Sequence, residues 1–121
     1  MLLSKRAQGQ HYEVAAEKYL ISCGLAPIER NFHIKGGELD LIMSDGETIV
    51  FVEVRYRKNQ AYGHAAETVT ASKMKKLIKA ATLWLGKQGL SVYSSDFRFD
   101  LVAIHQQGEQ IEWIKNAITQ G

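Results

Sequence analysis

Hydrophobic residues recur at three- and four-residue spacing in two separate segments of the chain. In the first segment, from His11 to Cys23, the apolar positions fall on one side of a helix, and a glycine follows as a C-terminal cap. In the second segment, Thr70 or Ser72 can cap a helix that Gly86 or Gly89 stops. Both patterns predict amphipathic helices that bury one face against a core.

Alternating and continuous apolar patterns predict five strands around these helices. In the third strand valines alternate with isoleucine and phenylalanine, so both of its faces are apolar, which is typical of a sheet covered by helices on both sides. The order predicts an α/β fold with an αβββαβ core and an extra C-terminal strand. The predicted strands are Ile28 to Ile34, Glu38 to Met43, Thr48 to Arg55, Phe97 to Ile104 and Gln110 to Ile114.

Length and composition narrow the class of protein. A chain of 121 residues with 45% hydrophobic and 23% charged positions fits one domain over residues 1–121. Its apolar stretches are interrupted by charge well before the roughly 20 residues of a membrane helix, and its N-terminus does not read as a secretory signal. We therefore expect a cytoplasmic protein without a membrane partner. The single cysteine, Cys23, excludes an internal disulfide, and we expect a buried structural thiol.

Charged residues gather on two neighbouring strands. Asp45-Gly46 between strand-like segments is a strong hairpin signal, and a two-residue turn there would place Glu38 opposite Glu53. Because side chains two residues apart share a face, Glu38, Asp40, Glu53 and Arg55 should lie together. Three converging carboxylates repel one another, and a hard divalent cation such as Mg²⁺ would offset that repulsion.

Two interpretations of this cluster stay open on the residues alone. Glu38 and Glu53 could be ordinary edge-strand charges paired with Arg55 and Arg57, an arrangement that is common and weak. The two helices each add a charge beside their apolar stripe. Glu13 lies seven residues before Leu20, flush with the apolar face, whereas Glu17 lies further towards solvent.

The second helix repeats this pattern with a cation. Lys73, four residues before Leu77, flanks the apolar stripe and is the lysine best placed to reach the acids. For Glu13 and Lys73 alike, an ordinary charge at the rim of a helix remains an equal alternative. The hypothesis of a metal site rests on the agreement between the charges predicted on the helices and those predicted on the strands.

Asp40 on one strand and Glu53-Val54-Arg55 on the next resemble the motif of the PD-(D/E)xK nuclease superfamily, an acid followed by acid-x-lysine. Longer segments resemble the YraN-type family of bacterial proteins, which are described as predicted endonucleases related to archaeal Holliday-junction resolvases. This resemblance covers roughly residues 9 to 118. The segments that carry it are Gly37-Glu38-Leu39-Asp40-Leu41-Ile42, Phe51-Val52-Glu53-Val54-Arg55-Tyr56-Arg57, Gly63, Lys73 and Arg98-Phe99-Asp100.

The resemblance implies a restriction-endonuclease-like fold with a mixed sheet, and a metal-dependent endonuclease acting on DNA, including branched DNA. By this resemblance Asp40 and Glu53 would ligate Mg²⁺ or Mn²⁺, Glu13 would be the acid of the first helix, and Glu38 would support the site. Resolvases act on two-fold symmetric junctions, so the analogy also implies a homodimer.

Arg55 departs from the superfamily, which has a lysine at this position. Arginine stays protonated, so it can clamp a phosphate but cannot act as a base, and Lys73 could supply the missing amine. The alternative function is a nucleic-acid-binding module on the same fold that does not cut. A third hypothesis is a protein-interaction scaffold in which the residues of the nuclease-like site serve only for packing.

A basic surface accompanies the cluster. The net charge of +2 permits a polyanionic partner such as DNA without requiring one. Basic side chains that follow the third strand or project from the second helix could track phosphates, although a solvated helix face explains the helical lysines equally well. The candidate nucleic-acid-binding residues are Arg57, Lys58, Lys75, Lys76 and Lys79.

Overall fold

The computed structural model describes residues 5–57, 70–105 and 110–117. Its elements follow one another as predicted, helix, three strands, helix, two strands. The α/β class, the αβββαβ order and the extra C-terminal strand are therefore confirmed. The elements are α1 (Lys5–Ser22), β1 (Ala26–Ile34), β2 (Gly37–Asp45), β3 (Thr48–Arg57), α2 (Ala71–Lys87), β4 (Phe97–His105) and β5 (Gln110–Ile114).

The strands form one mixed five-stranded sheet in the order β1-β2-β3-β4-β5. Strands β3 and β4 are parallel, and the other neighbouring pairs are antiparallel. The parallel pair follows from α2, because a chain that must start its next strand at the same end of the sheet needs a crossover, usually a helix. This crossover brings the N-terminal turn of α2 close to β2 and β3.

Local signals place the ends of both helices. Leu25 donates its backbone N–H to Leu20 O at 3.0 Å, and Gly24 between them takes φ +103°, so the glycine cap of α1 is confirmed. The Thr70 side chain caps α2 by accepting the Lys73 N–H at 3.1 Å. Cys23 is exposed, against expectation, because Leu25 fills the apolar position at this helix end instead.

Each face of the sheet has its own apolar cluster. Under α2, Phe51 packs with Trp84 edge to face, with 5.8 Å between ring centroids. Under α1, Val50 and Val52 pack against Ala16 and other buried residues. The prediction that helices cover both faces of the third strand is confirmed. Within the part of the chain that the structure describes, neither helix is long and apolar enough to cross a bilayer.

The hairpin between β2 and β3 turns one residue later than predicted. Asp45 pairs with Thr48 and Leu41 with Val52, so the two-residue turn is Gly46-Glu47. Gly46 takes the first turn position with φ +62°, which glycine adopts without strain. The register therefore shifts by two residues, and the predicted pairing of Glu38 with Glu53 is wrong. An even shift keeps the paired side chains from Leu41 to Asp45 on their predicted faces.

Candidate metal centre

Strands β2 and β3 separate next to the predicted site. Their paired register ends at Leu41 and Val52, and just beyond it Asp40 Oδ2 accepts the backbone N–H of Val54 at 2.9 Å. The Asp40 carboxylate therefore takes the place of a strand-to-strand hydrogen bond. We call this opening between Asp40 and Val54 the fork.

The regular alternation of side chains between the two faces of the sheet also breaks in β2 at the fork. Leu39 packs in the α2-side cluster and Leu41 in the α1-side cluster, although residues two apart in a regular strand share a face. The predicted convergence on one regular face is therefore wrong in its geometry. The charged side chains come together because the strands open, which makes the fork accessible to both helices.

Three carboxylates meet on the α1 side of the fork. Glu13 from α1 and Glu38 and Asp40 from β2 each offer an oxygen, and these oxygens lie within 4.8 Å of one another. Around Mg²⁺ with ligands at about 2.0–2.1 Å, oxygens stand roughly 3–4 Å apart. This set of hard oxygen donors fits such an ion after a small inward movement.

Asn31 lies among these acids, and sequence reasoning missed it. Its backbone has φ 56°, a left-handed conformation that asparagine tolerates better than most residues. Its amide nitrogen faces Glu13 Oε2 at 2.8 Å and Glu38 Oε1 at 3.3 Å, the orientation that these acceptors require. Asn31 thus holds two of the carboxylates in place. An asparagine within a strand-like segment does not by itself indicate a position among the acids.

Glu53 lies at the fork with two cations. Its Oε1 is 3.7 Å from Lys73 Nζ and 3.5 Å from Arg55 Nε. The residue is only 6% exposed, and within residues 5–57, 70–105 and 110–117 its Oε2 has no hydrogen-bond partner. The structure thus brings Glu53, Arg55 and Lys73 together, with one buried carboxylate oxygen left over.

The approach of α2 to the fork depends on Gly37 at the start of β2. A Cβ built at Gly37 would lie 3.0 Å from the backbone oxygen of Lys76, closer than such atoms ordinarily come. The missing side chain lets the first turns of α2 lie against β2. Lys73, one turn earlier on α2, reaches Glu53 as a result.

The acids at the fork hold their protons unusually tightly. Burial, followed by repulsion from Asp40, raises the pKa of Glu53 to about 7. Burial, followed by repulsion from Asp40 and Glu38, also raises the pKa of Glu13 to about 7. Burial raises the pKa of Asp40 as well, although its bond from Val54 opposes the shift. Burial first, and mutual repulsion second, therefore disfavour the charged form of these acids.

The carboxylates border open space. A cavity of about 380 Å³ adjoins them and includes His33, whose Nε2 lies 3.8 Å from Glu38 Oε1. A solvated ligand can therefore reach the acids without any movement of the core. The cavity is lined by Gly9, Gln10, Glu13, Asn31, His33 and Glu38.

Other predicted residues lie elsewhere. Glu17 was placed towards solvent, which is wrong: it is 9% exposed and pairs with Arg30 Nε at 3.0 Å, because Arg30 on β1 reaches over to this side of α1. The lysines of α2 project outward and are exposed, namely Lys75, Lys76 and Lys79. Lys58 and the side chain of Arg57 lie outside the described part of the chain.

Sequence comparison places the chain among known proteins. The model of the uncharacterised protein family UPF0102 matches residues 12–104. A UPF0102 protein of Vibrio cholerae is 54% identical over 121 residues, covering 100% of this chain and 99% of its own. UPF0102 proteins of Vibrio campbellii and Vibrio vulnificus are 55% and 56% identical over 120 residues, covering 99% of this chain and 98% of theirs. The chain therefore belongs to UPF0102, the YraN-type family that its motifs resemble.

Proposed function

We propose that this protein is a metal-dependent endonuclease that hydrolyses phosphodiester bonds in DNA. The observation that carries the proposal is the convergence of four carboxylates and two cations at the fork. Such a set of groups binds a divalent cation and a phosphate better than it stabilises a sheet. The resemblance to PD-(D/E)xK nucleases supports the same activity. The converging residues are Glu13, Glu38, Asp40, Glu53, Arg55 and Lys73.

The acids would hold Mg²⁺ or Mn²⁺. Asp40 is the central ligand, because its carboxylate neighbours Glu13 and Glu38 and also acts electrostatically on Glu53. The leftover Oε2 of Glu53 is a further oxygen donor. When bound, such an ion lowers the pKa of a coordinated water and offsets charge on the phosphodiester.

The cations divide the remaining roles. Arg55 would clamp a phosphate oxygen through its guanidinium, which arginine does well because it is planar and always charged. Lys73 supplies an amine beside Glu53, at 3.7 Å, where the superfamily draws its amine from the strand. This contact supports catalysis despite the arginine, because the amine can donate a proton or position the attacking water.

Incubation of the purified protein with junction, flap, single-stranded and duplex DNA tests the proposal. We expect cleavage that requires Mn²⁺ or Mg²⁺ and that disappears in Asp40→Ala and drops strongly in Lys73→Met. Glu47→Gln, an exposed acid in the hairpin turn, is the matched control and should cleave normally. Metal-dependent cleavage that survives Asp40→Ala would overturn the assignment of the site.

A second candidate function is DNA binding without cleavage. Two features favour it: arginine stands at position 55 in place of the usual lysine, and the outer face of α2 carries exposed lysines. It predicts salt-sensitive binding with no product under any metal. Replacement of Lys75, Lys76 and Lys79 by glutamine should then weaken binding and flatten its salt dependence. Lys18→Gln on α1 serves as control. Binding that the triple replacement leaves unchanged would contradict α2 as the contact surface.

A further inference from the structure

A short series of aromatic rings runs from the fork to the first half of α1. The rings of Tyr12 and Tyr56 stack with 4.2 Å between centroids and 9° between planes. The ring of His11 meets Tyr12 edge-on at 5.3 Å and 72°. We call His11, Tyr12 and Tyr56 the aromatic ladder. It joins α1 to the end of β3, and His11 at its outer end is exposed.

The ladder is continuous with the candidate site. Tyr56 lies two residues beyond Val54, whose N–H donates to Asp40, and Val54, Tyr56 and Tyr12 all pack in the apolar cluster under α1. Consecutive strand residues point to opposite faces, so Tyr56 packs on the α1 side while Arg55 contacts Glu53. A nucleic-acid strand whose phosphate lies at the acids would therefore meet the ladder on the α1 side of the fork.

Aromatic rings next to a phosphate site recognise nucleobases by stacking. Each base stacked on a protein ring contributes roughly a tenfold gain in affinity or more, with little dependence on sequence. In a continuous duplex both faces of every base are already covered by neighbouring bases. Only an unpaired base offers a free face to a tyrosine or histidine ring.

We infer that the aromatic ladder is a stacking site for unpaired nucleobases beside the scissile phosphate. The preferred substrate is then DNA with unpaired bases, such as a flap or an open branch point, over continuous duplex. The inference rests on the proposed function, because it assumes that the acids and Arg55 bind the phosphate. It adds a contact to the base, and this contact would select DNA with unpaired bases as the substrate.

Tyr12 and Tyr56 also contact the apolar cluster under α1, so packing alone could account for their presence. Leucine preserves apolar packing and removes the ring, whereas phenylalanine preserves the ring and removes the hydroxyl. His11 is exposed and lies outside that cluster, so His11→Ala removes a ring without disturbing the core. Tyr93, 97% exposed, is a matched tyrosine outside the ladder.

The test measures binding to two DNAs of equal length, a flap and a continuous duplex. The unpaired bases of the flap carry 2-aminopurine, whose fluorescence falls when it stacks. Ca²⁺ replaces Mg²⁺ as an oxygen-binding cation so that binding can be followed. We expect the ratio of flap affinity to duplex affinity to fall about tenfold in Tyr12→Leu and Tyr56→Leu, with loss of the fluorescence change.

Tyr12→Phe and Tyr56→Phe should retain the flap preference, His11→Ala should reduce it in part, and Tyr93→Leu should match the wild type. A loss of affinity for both DNAs by the same factor in the leucine variants would overturn the stacking site, as would wild-type protein that binds the two DNAs equally. Wild-type protein that binds none of these DNAs would overturn the proposed function itself.

Discussion

Two acid-rich regions of this molecule differ in how completely their charges are paired. Asp100 on β4 is fully buried. One of its oxygens accepts from Arg98 Nε at 3.0 Å and from the Asn116 N–H at 2.8 Å. The other accepts from Trp113 Nε1 at 2.9 Å. Arg98 also reaches Asp45 at 3.0 Å, so Arg98 and Asp100 are part of a larger structural network.

The fork has the opposite character. Glu53 is nearly as buried, yet its Oε2 has no hydrogen-bond partner among the described residues. Burial and mutual repulsion raise the pKa of Glu13 and Glu53 to about 7. Burial of a carboxylate therefore does not by itself mark a functional site. Its incomplete pairing is what makes the fork the candidate site, because a native fold ordinarily provides partners for its buried polar groups.

The largest effect should come from Asp40→Asn on cleavage. The amide oxygen can still accept the Val54 N–H, so the fold is retained, but the central charge of the metal site is lost. We expect the Mn²⁺-dependent cleavage rate to fall by about 1,000-fold, equivalent to about 4 kcal/mol. Gel-based kinetics with a flap substrate measure it. A rate within threefold of the wild type would erase the contrast between the two regions.

The next largest effect should be that of Asp100→Asn on stability. An amide offers one oxygen where the carboxylate accepts three donors, and it leaves the Arg98 guanidinium with weaker pairing. We expect the free energy of unfolding in urea to fall by about 3 kcal/mol. Asp96→Asn is the control and should cost under about 1 kcal/mol, since the exposed Asp96 side chain accepts a hydrogen bond from Thr48 Oγ1 that an amide oxygen can also accept. Equal losses would contradict the structural role of Asp100.

The pH dependence of stability should distinguish the regions further. Glu13 and Glu53 bind protons more tightly in the folded protein than in the unfolded chain. Their contribution to the free energy of unfolding is therefore fully present below the unfolded pKa and is lost as pH rises through about 7. Without divalent cations, unfolding free energy should decrease from pH 5 to pH 8. The slope cannot exceed about 1.4 kcal/mol per pH unit for each proton, and solvent screening reduces the share of the partly exposed Glu13.

Urea denaturation of Glu13→Gln and Glu53→Gln at several pH values checks this dependence. Each variant should flatten the decline, whereas Asp96→Asn, at an exposed acid away from the fork, should leave the slope unchanged. A wild-type stability that rises steadily from pH 5 to pH 8 would contradict the charge imbalance at the fork.

The smallest effect should come from Glu17→Gln. Glu17 pairs with Arg30, whose side chain is 50% exposed, so solvent screens the pair. We expect the free energy of unfolding to change by about 0.2–1 kcal/mol, measured in urea beside Lys18→Gln as control. A loss as large as that of Asp100→Asn would show that burial alone decides the cost of removing an acid.

The order of elements could be predicted from the sequence because the helical and strand periods are clear and short turns separate them. The hairpin register could not, since Asp45-Gly46 and Gly46-Glu47 both offer a glycine for a two-residue turn. The error moved the pairing by an even number of residues, so the paired residues kept their predicted faces. Asp40 and Glu53 came together at the fork, where the strands separate and the alternation of side chains breaks.

The rim of α1 was harder to predict. Glu13 and Glu17 lie one turn apart, and which of them is buried depends on a partner from β1, Arg30, that sequence spacing does not reveal. Asn31 could not be found because its role requires a left-handed backbone within a strand. Lys73 was found because helix and strand patterns pointed to the same place. Its distance to Glu53 needed the close approach that Gly37 permits.

A calorimetric titration with Mn²⁺ at pH 7.5 tests the central claim most directly, namely that the acids of the fork bind a divalent cation. Wild-type protein and the turn variant Glu47→Gln should bind with the same affinity, and Asp40→Asn should bind at least about tenfold more weakly. Absence of Mn²⁺ binding by the wild type, or equal affinity in Asp40→Asn, would contradict the account.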